Sequence, residues 1–306
     1  MKEIQKVAII GLGAIGATYG NLLQNALPPN GLAVIMDEER QKRYAQEGLT
    51  VNGMPTAFQC GTAESIGPCD LILVAVKYRQ LAEAIEVIAP CVGPETRILS
   101  LLNGISTDEP LMKRYGNTRV PYAITVGNDL QRQGNEVSYK NTGYIAFGYD
   151  GTVDESLQSI AVLLQRAQIP CEVTPDIRHV QWKKYLINVT LNQFGAVLGA
   201  TYGDLQNNSE LHILIRLVGE EVMTLAQACG IALGEDDYTE FLNILAKLNP
   251  TGGTSMYQDM QAGRLTEVDI FAGEVMRLGQ EKQVPVPYNT MLYHMVKALE
   301  EKKGSC

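Results

Sequence analysis

The chain has 306 residues, 45% of them hydrophobic and 19% charged, with a formal net charge of −9. That length suffices for two domains with separate cores, and the acidic balance argues against nucleic acid, whose phosphates require a basic face. No apolar run reaches spanning length, and MKEIQKVAII reads as a strand entering a fold, so a cytoplasmic protein without a membrane partner is expected.

Cys60, Cys69, Cys91, Cys171, Cys229 and Cys306 are dispersed and form no CxxC pair, which points to neither a zinc site nor a disulfide framework. Cys306, near a Lys-rich tail, reads as exposed and oxidisable. His179, His212 and His294 make no HExxH or comparable spacing, and no GxSxG elbow supports acyl transfer. No metal is expected.

Lys6 to Ile10 is a short β-branched run, followed at once by Gly11-Leu12-Gly13-Ala14-Ile15-Gly16 and an amphipathic stretch through Tyr19, Leu22 and Leu23. This is strand, tight glycine turn, helix. The first glycine permits the turn, the second lets a pyrophosphate approach the backbone, and the third lets helix and strand pack closely. The phosphates would meet the positive end of the helix dipole. A lone GxGxxG is weak, but in this setting it predicts dinucleotide binding.

The second strand, Leu32 to Met36, ends in Asp37, 21 residues beyond Gly16. A carboxylate there can accept hydrogen bonds from the adenosine ribose and would repel a 2′-phosphate, which favours NAD(H). Arg40, Lys42 and Arg43 follow closely and could restore phosphate binding, so NADP(H) stays open. Asp37 could equally be the N-cap of the next helix.

Asp70 to Val76 reads as a buried parallel strand, Gln80 to Ala89 as a helix, Thr96 to Leu101 as a strand ending at Asn103-Gly104, and Val120 to Val126 as another strand. Val137 to Tyr139 and Tyr144 to Gly148 look like a hairpin extending the sheet. Asp154 to Gln168 is helical, and Pro170 to Val173 is a short last strand. The alternation implies an α/β fold, a Rossmann-type doubly wound parallel sheet with an antiparallel appendage. Ligands in such sheets bind beyond the carboxyl ends of strands, which directs Lys77 and Asn103 toward the cofactor.

From about Asp176 the pattern changes. Segments near 176–199, 207–229, 235–247, 265–282 and 288–301 carry helical periodicity, and no convincing strand remains. A dinucleotide-binding domain over residues 1–175 and an all-α substrate and catalytic domain over residues 176–306 are expected.

Lys184, Asn188 and Asn192 stand four residues apart in WKKYLINVTLNQ, forming one helical ridge about 12 Å long. Leu186, Ile187, Val189 and Leu191 would bury that helix, so the polar ridge needs polar partners. A bound ligand would supply them; neighbouring loops or water would also do. Further on, Gly252-Gly253-Thr254-Ser255 is a flexible turn into a helix, where Ser255 either presents hydroxyl and N–H to an anion or simply caps. Glu267 begins another helix, where a carboxylate is favourable in any case.

Taken together, GLGAIG, Lys77 after DLILVAV, Asn103-Gly104, the Lys184/Asn188/Asn192 row and TSMYQDMQAGRLTEVD resemble the ketopantoate reductase (2-dehydropantoate 2-reductase) family. VPVPYNTMLYHMVKALEE is similar to the family's closing helix, and the likeness covers almost the whole chain. TSMYQD…GR-TE-D is its most specific part.

The resemblance implies reduction of ketopantoate to D-pantoate by a nicotinamide cofactor. By the same resemblance Lys184 is the general acid that protonates the oxygen receiving the hydride. Asn103 helps position the nicotinamide and Lys184, and Asn188 and Asn192 hold the substrate. Ser255 takes its carboxylate, Glu267 faces the substrate hydroxyl or Lys184, and Lys77 lies near the adenosine end of the cofactor.

Three positions depart from the family pattern. Asp37 stands where NADPH-using members commonly carry Arg, Ala272 precedes Gly273 where Asn-Gly is frequent, and Leu102 precedes Asn103 where a polar residue is more usual. An NADH-dependent D-2-hydroxyacid dehydrogenase acting on another bulky 2-oxoacid is therefore the alternative enzyme. A non-catalytic dinucleotide sensor is the alternative of another class, against which Lys184, Ser255 and Glu267 speak. A homodimer is an expectation by analogy with related dehydrogenases.

Overall fold

The chain divides into two compact units, Met1–Ile177 and Arg178–Cys306, in a computed structural model that describes residues 3–152 and 154–304. Cys306 lies outside the described residues; Cys60, Cys69, Cys91, Cys171 and Cys229 are free thiols.

In the first unit, short β-branched runs alternate with helices. The elements are β1 (Val7–Ile10), α1 (Ala14–Leu23), β2 (Leu32–Ile35), α2 (Glu38–Glu47), β3 (Thr50–Val51), β4 (Met54–Pro55), β5 (Cys60–Gly61), α3 (Ala63–Ile66) and β6 (Cys69–Val74). Then come α4 (Leu81–Val87), β7 (Val92–Ser100), α5 (Glu109–Tyr115), β8 (Tyr122–Val126), β9 (Asp129–Gln133), β10 (Glu136–Asn141), β11 (Tyr144–Gly148), α6 (Gln158–Arg166) and β12 (Cys171–Val173).

The main sheet is parallel throughout, in the order β5-β2-β1-β6-β7. Its central strands are buried on both faces. Val7, Ile9, Leu71, Leu73 and Leu99 pack into one core, and Ala8, Ile10, Ile72, Val74 and Ile98 into the other. Side chains alternate across a strand, so two covered faces require an unbroken apolar run, as LILVAV after Asp70 supplies.

The expected hairpin between 137–139 and 144–148 does not form. β10 pairs antiparallel with β9, in a sheet ordered β4-β3-β10-β9, whereas β11 lies between β12 and β8 in a separate three-stranded sheet. The turn chemistry decides this. Gly134-Asn135 joins β9 to β10, with Gly134 at φ 56°, and Gly-Asn is a strong two-residue hairpin signal. At Gly143 (φ 67°) the chain leaves one sheet for the other.

The second unit is helical: α7 (Ile177–Leu198, its first residue still in the first unit), α8 (Tyr202–Asn207), α9 (Ser209–Ala228), α10 (Glu235–Leu245), α11 (Ser255–Gln261), α12 (Ala272–Lys282) and α13 (Pro287–Gly304). α12 starts at Ala272 rather than near 265, because a 3₁₀ turn over Val268–Ile270 and a break at Phe271 (φ −101°, ψ −97°) precede it. Buried Trp182, Tyr185, Leu186 and Val189 of α7 supply its apolar face. Among the described residues no helix is long and apolar enough to cross a membrane.

Candidate active site

In the first unit β1 runs straight into the glycine turn. Gly11 has φ 97°, and a Cβ there would lie 2.5 Å from the Ala75 carbonyl oxygen; one on Gly16 would lie 2.0 Å from the Gly11 oxygen. The turn is thus closed upon itself by glycine. Gly13 differs: a Cβ there would meet no protein atom nearer than the Ala75 oxygen at 4.0 Å. The space above it is open, directly before the first turn of α1, which has no side-chain cap and carries no acidic side chain. A pyrophosphate fits this cradle in both shape and sign.

Beside the turn lies a cavity of about 690 Å³, with Gly11, Leu12, Asp37, Arg40, Arg43 and Arg132 in its wall. Asp37 fills the structural and the cavity-facing position together. It caps α2 by accepting the Arg40 N–H at 2.7 Å, pairs with Arg40 Nε at 3.3 Å, and still borders the cavity. Arg132 comes from β9. Its guanidinium donates to the Leu12 carbonyl within the glycine turn and, through Nε, to the Gly134 carbonyl at 2.9 Å. Sequence reading missed Arg132 because its strand, DLQRQ, is polar and has no apolar alternation. Lys77 and Asn103 follow the carboxyl ends of the adjacent strands β6 and β7, but neither belongs to this cavity's wall. Lys77 is exposed and Asn103 half-buried.

The second unit gathers the remaining residues. Lys184, Asn188 and Asn192 all stand on α7. Asn192 is buried; its Oδ1 accepts from Ser255 Oγ at 3.0 Å and from the Met256 N–H at 3.1 Å, while its Nδ2 donates to Asn188 Oδ1 at 3.4 Å. Ser255 is not the cap of α11. Thr254 takes that role, accepting the Tyr257 N–H at 3.2 Å, which leaves the Ser255 hydroxyl to bond across to α7. The approach is close because Gly195 faces the cap: a Cβ there would lie 2.4 Å from Thr254 Oγ1.

Lys184 is half-buried beside these amides. Burial pulls its ammonium below the ordinary lysine range to about 8, and the carboxylate of Glu267 opposes that fall. Glu267 immediately precedes the 3₁₀ turn. The neighbour of Lys184, Tyr185, donates its hydroxyl to the Phe271 carbonyl at 2.6 Å, so α7 grips the Glu267 segment directly. Leu102 and Ala272 are both buried, each within its own unit.

The geometry therefore offers a phosphate cradle in one unit and, in the other, a cation of lowered pKa with a neighbouring carboxylate and a short row of amides and hydroxyl. Profiles of known families match both. Residues 7–151 match the profile described as "Ketopantoate reductase PanE/ApbA", and residues 176–300 match "Ketopantoate reductase PanE/ApbA C terminal". The chain belongs to the ketopantoate reductase family.

Within this oxidoreductase family, the 2-dehydropantoate 2-reductase of Vibrio cholerae is 26% identical over 298 residues, covering 96% of this chain and 98% of that protein. A solved structure of D-mandelate dehydrogenase with NADH and anilino(oxo)acetate superposes with a TM-score of 0.86 at 23% identity, covering 98% of this chain and 99% of the other. The dimeric ketopantoate reductase of Staphylococcus aureus gives a TM-score of 0.83 at 24% identity, covering 98% of this chain and all (100%) of that one. These two structural likenesses show the fold: a parallel sheet with flanking helices followed by a helical region.

Proposed function

We propose that the protein reduces 2-dehydropantoate to D-pantoate, with Lys184 as the proton donor. The bound nicotinamide dinucleotide would supply the hydride. The observation that carries the reading is Lys184 itself, a half-buried ammonium of lowered pKa that Glu267 keeps from falling further. An oxygen receiving hydride gains negative charge, and an ammonium beside it both stabilises and protonates that oxygen. A donor whose pKa sits near neutrality releases its proton more readily than an ordinary lysine.

The other residues hold and orient. Asn188, Asn192 and Ser255 form a hydrogen-bonded row on the Lys184 side of α7, suited to a 2-oxoacid's carboxylate and hydroxyl oxygens. Residues 11–16 would carry the pyrophosphate, and Asp37 the adenosine ribose. Lys77 and Asn103, past neighbouring strand ends, would contact the dinucleotide at its adenosine and nicotinamide portions. In this reading residues 1–175 bind cofactor and residues 176–306 bind substrate.

Asp37 supports NADH as the favoured cofactor. Its charge is partly answered by Arg40, and Arg43 borders the same cavity, so NADPH is the competitor. The dimeric Staphylococcus aureus relative supports a homodimer. A second reading, reduction of another bulky 2-oxoacid, draws support from the D-mandelate dehydrogenase structure with bound NADH.

Initial-rate oxidation of NADH and NADPH with ketopantoate tests the reaction, the substrate and the coenzyme preference. Fast turnover upholds the reading, and the ratio between the two coenzymes judges Asp37. Turnover of branched or aromatic 2-oxoacids in place of ketopantoate would move the protein to the second reading. Dinucleotide binding with no turnover of any 2-oxoacid would leave a sensor.

A further inference from the structure

Glu267 lies between α11 and α12, where its carbonyl accepts the Ile270 N–H at 3.1 Å and so opens a single 3₁₀ turn. Side chains of two other helices hold that stretch. From α7, Tyr185 donates to the Phe271 carbonyl at 2.6 Å. From α13, Glu300 Oε1 accepts both the Thr266 N–H and the Thr266 hydroxyl, each at 2.7 Å. Thr266 Oγ1 in turn accepts the Val268 N–H at 3.3 Å. The residues on both sides of Glu267 thus hang from one carboxylate on the last turns of α13.

That carboxylate is only 8% exposed. Lys297, three residues earlier, approaches Glu300 Oε2 at 3.3 Å and Asp269 Oδ1 at 3.5 Å, and Asp269 accepts the Tyr293 hydroxyl at 3.1 Å. On the α12 side Glu274 and Arg277 pair at 2.6 Å, and both act electrostatically on Tyr185. Burying a carboxylate is unfavourable until its partners offset the lost hydration, and an apolar contact could join α13 to this loop at less cost. The cost buys directionality: two donors on one residue are aimed at one oxygen.

We propose that Glu300 is a positioning residue for the reduction: by fixing Thr266 it keeps the Glu267 carboxylate against Lys184. The inference rests on the reading of Lys184 as proton donor. Its consequence is a defined shift in pH dependence. The acid form of Lys184 is present below its pKa and lost above it. Glu267 raises that pKa against burial. Releasing Glu267 lets the pKa fall, so activity is lost at a lower pH.

The test is the alkaline limb of the kcat–pH profile in Glu300→Ala, Glu300→Gln and Glu267→Gln, with NADH affinity followed by fluorescence. Glu300→Ala should move the limb down by about 1 pH unit or more, as Glu267→Gln does, while NADH affinity holds. Glu300→Gln keeps an acceptor oxygen for Thr266 and should restore most of the wild-type limb.

A wild-type limb in Glu300→Ala, with the limb displaced in Glu267→Gln, would overturn the positioning role and leave the proton-donor reading standing. Equal displacement in Glu300→Gln and Glu300→Ala would assign the effect to charge and also overturn the tether. An undisplaced limb in Glu267→Gln would remove the underlying reading, and the inference with it. Should Glu300→Ala fail to fold, Thr266→Ala, which removes one of the two bonds to Glu300 together with the acceptor for the Val268 N–H, is read by the same criterion: a lowered limb supports the tether and an unmoved one refutes it.

Discussion

The side-chain carbonyl of Asn192 accepts the Ser255 hydroxyl at 3.0 Å, joining the middle of α7 to the first residue of α11. The same oxygen takes the Met256 N–H. Asn192→Ala would leave a buried backbone donor unpaired, costing roughly 1–3 kcal/mol. It should lower Tm and raise KM together. Ser255→Ala removes only the hydroxyl and should raise KM with a much smaller change in Tm. Thermal unfolding beside initial rates checks the contrast, and equal losses of Tm would count against it.

Lys184→Ala should lower kcat by a factor on the order of 10²–10⁴, the range of general acid catalysis. NADH binding should persist, since the cradle lies in the other unit. Near-normal turnover would remove Lys184 from the mechanism.

In the wild type, kcat should be level below neutrality and decline above about 8, where burial has placed the Lys184 pKa. The sign follows from the proposed role: a proton donor works in its acid form, so activity should disappear as it deprotonates. Well beyond the pKa, the fall should approach about tenfold per pH unit. A profile flat to pH 10, in buffers matched for ionic strength, would contradict the assignment.

On the proposed reading of Asp37 as the ribose contact, Asp37→Arg should shift preference toward NADPH, because it replaces a repelling carboxylate with a guanidinium. It also removes the cap of α2, at a cost of about 1 kcal/mol, so binding constants for both coenzymes should be compared below the variant's own Tm. An unchanged ratio would mean that the ribose is read elsewhere, with Arg43 and Arg132 the next candidates.

Gly13 and Gly16 should fail differently. Gly16→Val drives a Cβ into the Gly11 carbonyl and should destabilise the fold itself. Gly13→Val meets no protein atom within contact distance at its Cβ, so Tm should change little while dinucleotide affinity drops. Calorimetry with and without NADH separates the two.

Strong local signals made much of this architecture readable in the sequence. The β1 turn declares itself because three glycines at fixed offsets follow an apolar strand, and α7 because its polar ridge recurs every fourth residue. The sequence did not reveal that β10 would pair backward with β9, since alternation in 137–139 suits either partner and only Gly134-Asn135 distinguishes them. Thr254 and Ser255 are adjacent and both able to cap, so only coordinates assign the cap to Thr254. Arg132 and Glu300 act on the glycine turn and on Thr266 from 120 and 34 residues away. No local pattern records such a pairing.

Strand β1, flanked by β2 and β6 and covered on both faces, should hold the slowest-exchanging amides of the first unit. Its last residue, Ile10, leads straight into Gly11. The glycine turn is therefore fastened to the part of that unit least prone to local opening. Hydrogen exchange at residues 7–10 should change little on adding NADH, with protection gained instead in α2 and along the cavity wall.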